Sequence, residues 1–254
     1  LTLVGGIIPS WDNSNFHMLP NITAEAKINE EKFVLLAGWK GYYNKTNYQY
    51  LAGFNPWIQQ PTFLKSTRII DAYAGFKGSA GPHFTYNAQL TLQHIYNQPL
   101  FLNDTLTGQS FNIVNESNMH NVKLHGELGY TVQEKFSLLA GATINQYNNL
   151  TDNSKAWGLL PIEINGSLRW HVTKDLLFTT DLFAWDGARY LTTKTRQLER
   201  LKGAFDLNAG AELKINQAFS AWLQFNNLFN NKYQRWNQYN VLGFQALGGV
   251  VYHF

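Results

Sequence analysis

The feature that most constrains this chain is a period of two in which the charged residues keep to one phase. Val122, Leu124, Gly126, Leu128 and Tyr130 alternate with Lys123, His125 and Glu127. Further along, Ile162, Ile164, Leu168 and Trp170 alternate with Glu163, Asn165, Arg169 and His171, and Phe205, Leu207, Ala209, Ala211 and Leu213 with Asp206, Asn208 and Glu212. Successive side chains of a strand point to opposite faces, so each run has one apolar face and one mixed or polar face. A soluble sandwich shows the same period, and alternation alone does not decide what the apolar face touches.

Composition narrows the choice. Charged residues are 15% of the chain, against about 25% in ordinary domains, and aromatic residues are also 15%. Mean hydropathy is nevertheless −0.28, and no apolar run is long enough for a membrane helix. Few charges, many aromatics and a neutral hydropathy suit a sheet with one face in lipid and one in water. The chain has no Cys, which removes disulfides and thiolate metal sites. A net charge of +3 is too small to argue for nucleic acid.

Taken in order, apolar alternation predicts about twelve strands. Short polar turns, such as Glu30-Glu31-Lys32, Gln133-Glu134-Lys135, Thr173-Lys174-Asp175 and Asn216-Gln217, alternate with longer connections over residues 9–20, 44–64, 97–118, 145–158 and 191–201. Outer-membrane barrels segregate short turns and long loops to opposite rims in this way, and a sandwich has no reason to. The expected fold is therefore all-β: a transmembrane antiparallel β-barrel occupying residues 1–254 as one domain. The phase carrying Glu127, Glu163, Arg169, Asp206 and Glu212 is expected to face the lumen. Trp39, Tyr43, Tyr130, Trp170, Tyr252 and Phe254 are expected near strand ends, where aromatic girdles meet headgroups.

The C-terminus carries a resemblance. Asn227-Leu228-Phe229-Asn230-Asn231-Lys232-Tyr233, then Arg235-Trp236, then Gly248-Gly249-Val250-Val251-Tyr252-His253-Phe254, resembles the end of TonB-dependent outer-membrane receptors, most closely those of the Bacteroidetes. It implies uptake of a scarce, bulky nutrient (siderophore, cobalamin or glycan) with energy delivered through TonB. Residues Tyr252 and Phe254 would then be the signal read by the barrel-assembly machinery. Such receptors pair a larger barrel with an N-terminal plug, so the resemblance implies the C-terminal part of that barrel, without the plug or the TonB-contacting segment. A complete twelve-stranded barrel is the alternative.

Candidate ligand contacts lie in the long connections. Arg189, Lys194, Arg196, Arg200 and Lys202 form a basic stretch beside Glu199, able to meet lipopolysaccharide phosphates or an anionic ligand, or simply to be solvated. Trp57, Tyr233, Trp236 and Tyr239, with Arg235, could stack on a ring of a ligand or pack one loop on its neighbour. His125 with Glu127, and Arg169 with His171, share a phase, which a polar lumen explains better than a metal. No nucleophile elbow or convincing Ser/His/Asp set occurs, and the chain is not expected to be an enzyme or to hold a cofactor or metal. The function expected is outer-membrane transport in a Gram-negative bacterium, with lipid, lipopolysaccharide, TonB and a surface lipoprotein as candidate partners. A passive porin-like or structural barrel is the alternative.

Overall fold

The computed structural model describes residues 1–12, 15–30 and 32–252. In chain order the elements are β1 (Thr2–Asp12), β2 (Asn15–Asn29), β3 (Phe33–Asn44), α1 (Tyr48–Phe54), β4 (Thr67–Ala80), β5 (Phe84–Asn103), β6 (Phe111–Val132), β7 (Phe136–Asn148), β8 (Ile162–His171), β9 (Leu176–Trp185), β10 (Arg189–Leu191), β11 (Leu198–Arg200), β12 (Ala204–Lys214), β13 (Phe219–Asn226), β14 (Gln234–Trp236), β15 (Tyr239–Asn240) and β16 (Gln245–Tyr252). One twelve-stranded sheet runs β1-β2-β3-β4-β5-β6-β7-β8-β9-β12-β13-β16, and every neighbouring pair in it is antiparallel. β10–β11 and β14–β15 are separate two-stranded ribbons. β1 and β16 are the sheet's edges among the described residues, and no helix is long and apolar enough to cross a membrane.

Residues paired directly across antiparallel strands point to the same face, so phase can be followed around the wall. Ile22 pairs with Trp39, Trp39 with Ala72, Ala72 with Leu92, Leu92 with Val122. Leu124 continues to Ile144 and Ile144 to Ile162, while Ala211 joins Phe178 to Leu223 and Leu223 to Gly248. These outward positions are apolar and left uncovered: Leu92, Leu124, Leu128, Leu138, Ile164, Leu213, Leu223 and Val250 are all exposed. A continuous apolar skin of this extent is untenable in water and is what hydrocarbon requires.

The opposite phase takes the charges. Glu127 pairs with Gly141, Gly141 with Asn165, Asn165 with Phe183 and Phe183 with Asp206, all on one face. Glu163 and Asn165 share that face, as do Asp206 and Glu212, and Arg169 sits between Ser137 and Thr179. A polar ladder crosses the inner wall. Tyr42 and Gln93 donate to Asp71 (3.2 and 3.0 Å), and Asn121 donates to both Gln93 (2.8 Å) and Asn145 (3.0 Å). Lys77 and Glu25 add an ion pair at 3.6 Å.

Several expected boundaries are corrected. The connection expected over residues 9–20 is strand almost throughout, because β1 and β2 pair as far as Asp12 with Asn15. Its two prolines signal a loop, yet Pro9 lies on an edge strand and Pro20 precedes the first β2–β3 pair at Asn21, where a missing N–H is tolerated. Residues 97–118 are likewise mostly strand: the β5–β6 hairpin stands beyond its neighbours, and only 104–110 turn. Residues 44–64 include α1, started by Asn47, whose Oδ1 accepts the Tyr50 N–H at 2.8 Å. β9 leaves the wall at Trp185, short of the connection expected from residue 191, and 191–201 is largely the β10–β11 ribbon. Trp39 lies mid-strand rather than at a rim. Glu31 of the expected first turn, His253 and Phe254 fall outside the described residues.

Phase makes an exacting prediction at two adjacent residues. Leu168 faces outward between Leu138 and Thr180, and Ser167 faces inward opposite Asp181. Leu168→Arg should destabilise the barrel in lipid vesicles by roughly 2–4 kcal/mol, whereas Ser167→Arg should fold normally, as read by heat-modifiable gel mobility and urea titration.

Candidate functional site

On the rim of the long connections, four loops meet over the polar face. The loop between β13 and β16 is the one that joins them, and the Asn-Leu-Phe-Asn motif is its scaffold. Asn227 (φ 50°) is buried and spends its whole side chain on backbone. Its Nδ2 donates to the carbonyls of Asn231 (2.8 Å) and Leu242 (3.1 Å), and its Oδ1 accepts the Asn231 N–H (2.9 Å). Asn230 (φ 51°) accepts the Phe244 N–H, and Asn231 donates to the Phe205 carbonyl of β12. Asn tolerates the left-handed backbone this turn needs, at low cost. The motif therefore holds both ends of the loop and frees residues 233–240 to reach across the mouth.

Trp236 is what reaches. It is buried with Leu51 of α1, Ile58, Phe101 of β5 and Phe111 of β6, and its indole N–H donates to the Phe54 carbonyl at 3.2 Å. Ring centroids lie 5.0 Å from Phe101 and 5.4 Å from Phe111. Beneath it, Gly158 has φ +76°, and a Cβ there would come within 2.9 Å of both Phe101 and Trp236. Arg235 donates to the Gly158 carbonyl (3.1 Å) and lies 4.2 Å from the Trp236 ring. Burial pulls its guanidinium down to about 10, against the opposing pull of Glu163, so it stays charged at neutral pH.

Two carboxylates fix the neighbouring loops. Glu116, fully buried at the top of β6, accepts the backbone N–H groups of Thr151 (2.6 Å), Asp152 (3.0 Å) and Asn153 (2.8 Å), clamping the β7–β8 loop onto β6. Asp104 accepts the N–H groups of Leu106 and Thr107 on one oxygen and of Ser110 on the other. The Thr107 N–H, foremost among these donors, holds its carboxyl well below the ordinary carboxylate value. Both are structural anchors with their lone pairs taken. Among the described residues no cluster of three or more His, Asp and Glu gathers as a metal site.

The candidate contacts separate into three places. Trp57 and Tyr239 stack on each other at 3.6 Å, and with Arg235, Trp236, Asp206 and Gln245 they line a cavity of about 400 Å³ under the loop roof. Tyr233 donates to Asp206 and meets Trp185 edge-on, outside that cavity's lining. Arg196 donates to the Asn103 carbonyl at 3.4 Å, tying the β10–β11 ribbon to the β5–β6 hairpin. Arg189 and Arg200 line a different cavity, above β8. Tyr252 pairs with Phe219 at the opposite rim. Sequence reasoning missed Gly158, Glu116 and the scaffold role of Asn227; only Asn227 carried a signal, as part of a motif read as a signature.

No protein-family model and no curated protein matches the chain by sequence. Its fold is shared with solved structures. The siderophore receptor PirA from Acinetobacter baumannii aligns with a TM-score of 0.70 at 12% identity, over 94% of this chain and 41% of that one. The FrpB iron transporter from Neisseria meningitidis aligns at 0.63 and 17%, over 94% and 40%. The ferripyoverdine receptor of the outer membrane of Pseudomonas aeruginosa aligns at 0.65 and 10%, over 93% and 33%. The chain thus spans about two fifths of the length of PirA and FrpB, and about a third of the ferripyoverdine receptor.

Removing the keystone should open the roof and leave the wall. Trp236→Ala forfeits about 3–5 kcal/mol of packing, and Gly158→Ala drives a methyl into Phe101 and Trp236. Either variant should become sensitive to limited proteolysis within 44–66, 104–110 and 227–244 while the heat-modifiable barrel persists. The Asp104 turn adds a pH test. A depressed carboxyl contributes stability that is present above the ordinary value of 3.8 and lost only as pH falls through its lower folded value. Protection of the Thr107 and Ser110 amides from exchange should therefore persist at pH 4, and should be lower in Asp104→Asn at the same pH.

Proposed function

We propose that this chain forms part of the barrel of an outer-membrane uptake receptor of the TonB-dependent kind. The observation that carries the reading is the combination of an apolar outer wall with a polar inner face roofed by loops from strands far apart in the sheet. A general pore needs an open mouth. A receptor needs a mouth that is closed by structured loops and a pocket in which a ligand waits for a gated passage. The cavity under Trp236 has that character: aromatic edges from Trp57 and Tyr239, one cation in Arg235, one carboxylate in Asp206, and amides from Gln245 and Asn240. Such a lining suits a bulky, ring-bearing polar ligand such as a siderophore, cobalamin or glycan.

Under this reading the inner ladder through Asp71, Gln93, Asn121 and Asn145 is the surface a plug packs against, and transport draws on TonB through a segment outside this sequence. The outer membrane of a Gram-negative bacterium, the barrel-assembly machinery and a surface lipoprotein seated on the loops complete the set of partners. The affinity with Bacteroidetes receptors carried by Asn227–Tyr233 belongs to the same proposal.

The test uses the full-length protein in a Gram-negative host that lacks its own uptake receptors. Uptake of radiolabelled ferric siderophores, cobalamin and oligosaccharides is measured with TonB present and deleted, and passive permeation by swelling of liposomes that hold the purified protein. The reading predicts that at least one bulky ligand enters only with TonB, with no swelling in small sugars. TonB-independent entry with rapid swelling would replace it with a porin.

A further inference from the structure

Above β8 the wall has a notch that the receptor reading does not use. β8 starts low: its pairing with β7 ends at Ile144 with Ile162, and β7 continues through Asn145–Asn148 paired with β6 but not with β8, steadied by the Asn145 N–H to the Pro161 carbonyl at 2.7 Å. On the other side β9 leaves the sheet at Trp185, and the β10–β11 ribbon rises in its place. The gap between them is a cavity of about 490 Å³. Its lining is unlike the roof cavity's: it holds three cations and the amide residues Asn145, Gln146, Asn148, Asn149 and Asn153, of which Asn145 and Asn153 are already tied to Asn121 and Glu116.

The cations are placed against ordinary preference. Arg189 and Arg200 are direct cross-strand partners on one face of the ribbon, an arrangement that repels when nothing lies between the charges. Asp186 answers only one of them: it ion-pairs with Arg200, whose Nε also donates to the Gly187 carbonyl at 3.1 Å. Among the described residues no acceptor or carboxylate meets the Arg189 guanidinium or the Lys155 ammonium. The carboxylate on the ribbon itself, Glu199, is engaged by the Tyr190 hydroxyl. The notch therefore keeps two uncompensated cations beside a wall of amides.

We infer that this notch binds an oxyanion carried on a saccharide, with Arg189 and Lys155 holding the oxyanion and the amides of Gln146, Asn148 and Asn149 meeting sugar hydroxyls. Guanidinium groups match the geometry of phosphate oxygens, and an oxyanion between Arg189 and Arg200 turns their repulsion into shared attraction. Side-chain amides both donate and accept, as vicinal hydroxyls require. The same phosphorylated sugar chemistry is offered by a free sugar phosphate and by the headgroup of lipopolysaccharide in the surrounding leaflet. The inference does not rest on TonB-dependent uptake and survives if that reading fails.

The full-length protein purified from outer membranes provides the test. Glucose 1-phosphate is titrated calorimetrically in detergent at low salt with glucose as the neutral control, and retained lipopolysaccharide is assayed as phosphate per barrel. At least one phosphate-bearing probe should bind while glucose does not. Arg189→Ala with Lys155→Ala should weaken that binding by at least about tenfold, the scale of one charge-assisted hydrogen bond. Lys174→Ala, which removes a cation from the opposite rim, should leave it unchanged. Binding of glucose 1-phosphate alone assigns a soluble ligand, and retention of lipopolysaccharide alone assigns the leaflet. Absence of both from the wild type, or equal binding by the heat-modifiable double variant, overturns the inference.

Discussion

A peptide group in hydrocarbon has no water to bond with, and that constraint orders the whole molecule. Each strand must give its N–H and C=O groups to neighbours, and each outward side chain must be apolar. Because the side-chain period is two, one slip of register anywhere would turn a charged row outward for every strand beyond it. No slip occurs from Ile22 through Trp39, Ala72, Leu92 and Val122, nor in the opposite phase from Glu127 through Asn165 to Asp206. Glu127, Glu163, Arg169, Asp206 and Glu212 fall in the inward phase as a consequence, while Arg68, paired with Tyr43 and Tyr96 in the outward phase, sits at the long-loop end of β4.

The rim obeys different rules, since it is wet and its backbone can be satisfied by side chains. Asn227, Asp104 and Glu116 each take several backbone N–H or C=O groups that no ladder reaches. This lets loops from β3–β4, β5–β6, β7–β8 and β13–β16 hold fixed shapes around Trp236. A rigid roof with a cavity beneath it and a second, cationic cavity beside it is thereby built from loops whose regular structure is α1, the β5–β6 extension and the short β10–β11 and β14–β15 ribbons. Function on this barrel is grafted onto those segments.

How much of this the sequence reveals depends on whether one face of a segment is wet. β6 below residue 122, β8 and β12 each have one apolar and one polar face, and their alternation reads directly as strand and phase. The β5–β6 extension does not: Leu100, Phe101, Phe111 and Met119 are buried on both sides by loops, so their period of two disappears and Pro99 suggests a break. Proline misleads again at Pro9 and Pro20, where strand persists because no ladder needs the missing donor. The contacts among Trp57, Trp236 and Tyr239 were open between stacking on a ligand and packing on one another. Much of their surface goes to mutual packing, and which edges remain for a ligand is a matter of three-dimensional convergence over nearly two hundred residues of chain. Gly158 and Glu116 carry no local signal because their roles exist only once that convergence has occurred.

The central claim is that odd and even positions divide into lipid-facing and lumen-facing sets, and the tryptophans report it directly. Trp39 and Trp170 lie in the outward phase, while Trp185 and Trp222 lie in the inward one, Trp222 opposite Glu212 and Gly249. Single-tryptophan variants of the full-length protein, refolded in vesicles of brominated phospholipid, separate the two sets by fluorescence. Strong quenching of Trp39 and Trp170 with little change at Trp185 and Trp222 is the predicted result. Quenching of Trp185 or Trp222 to the same depth would contradict the account.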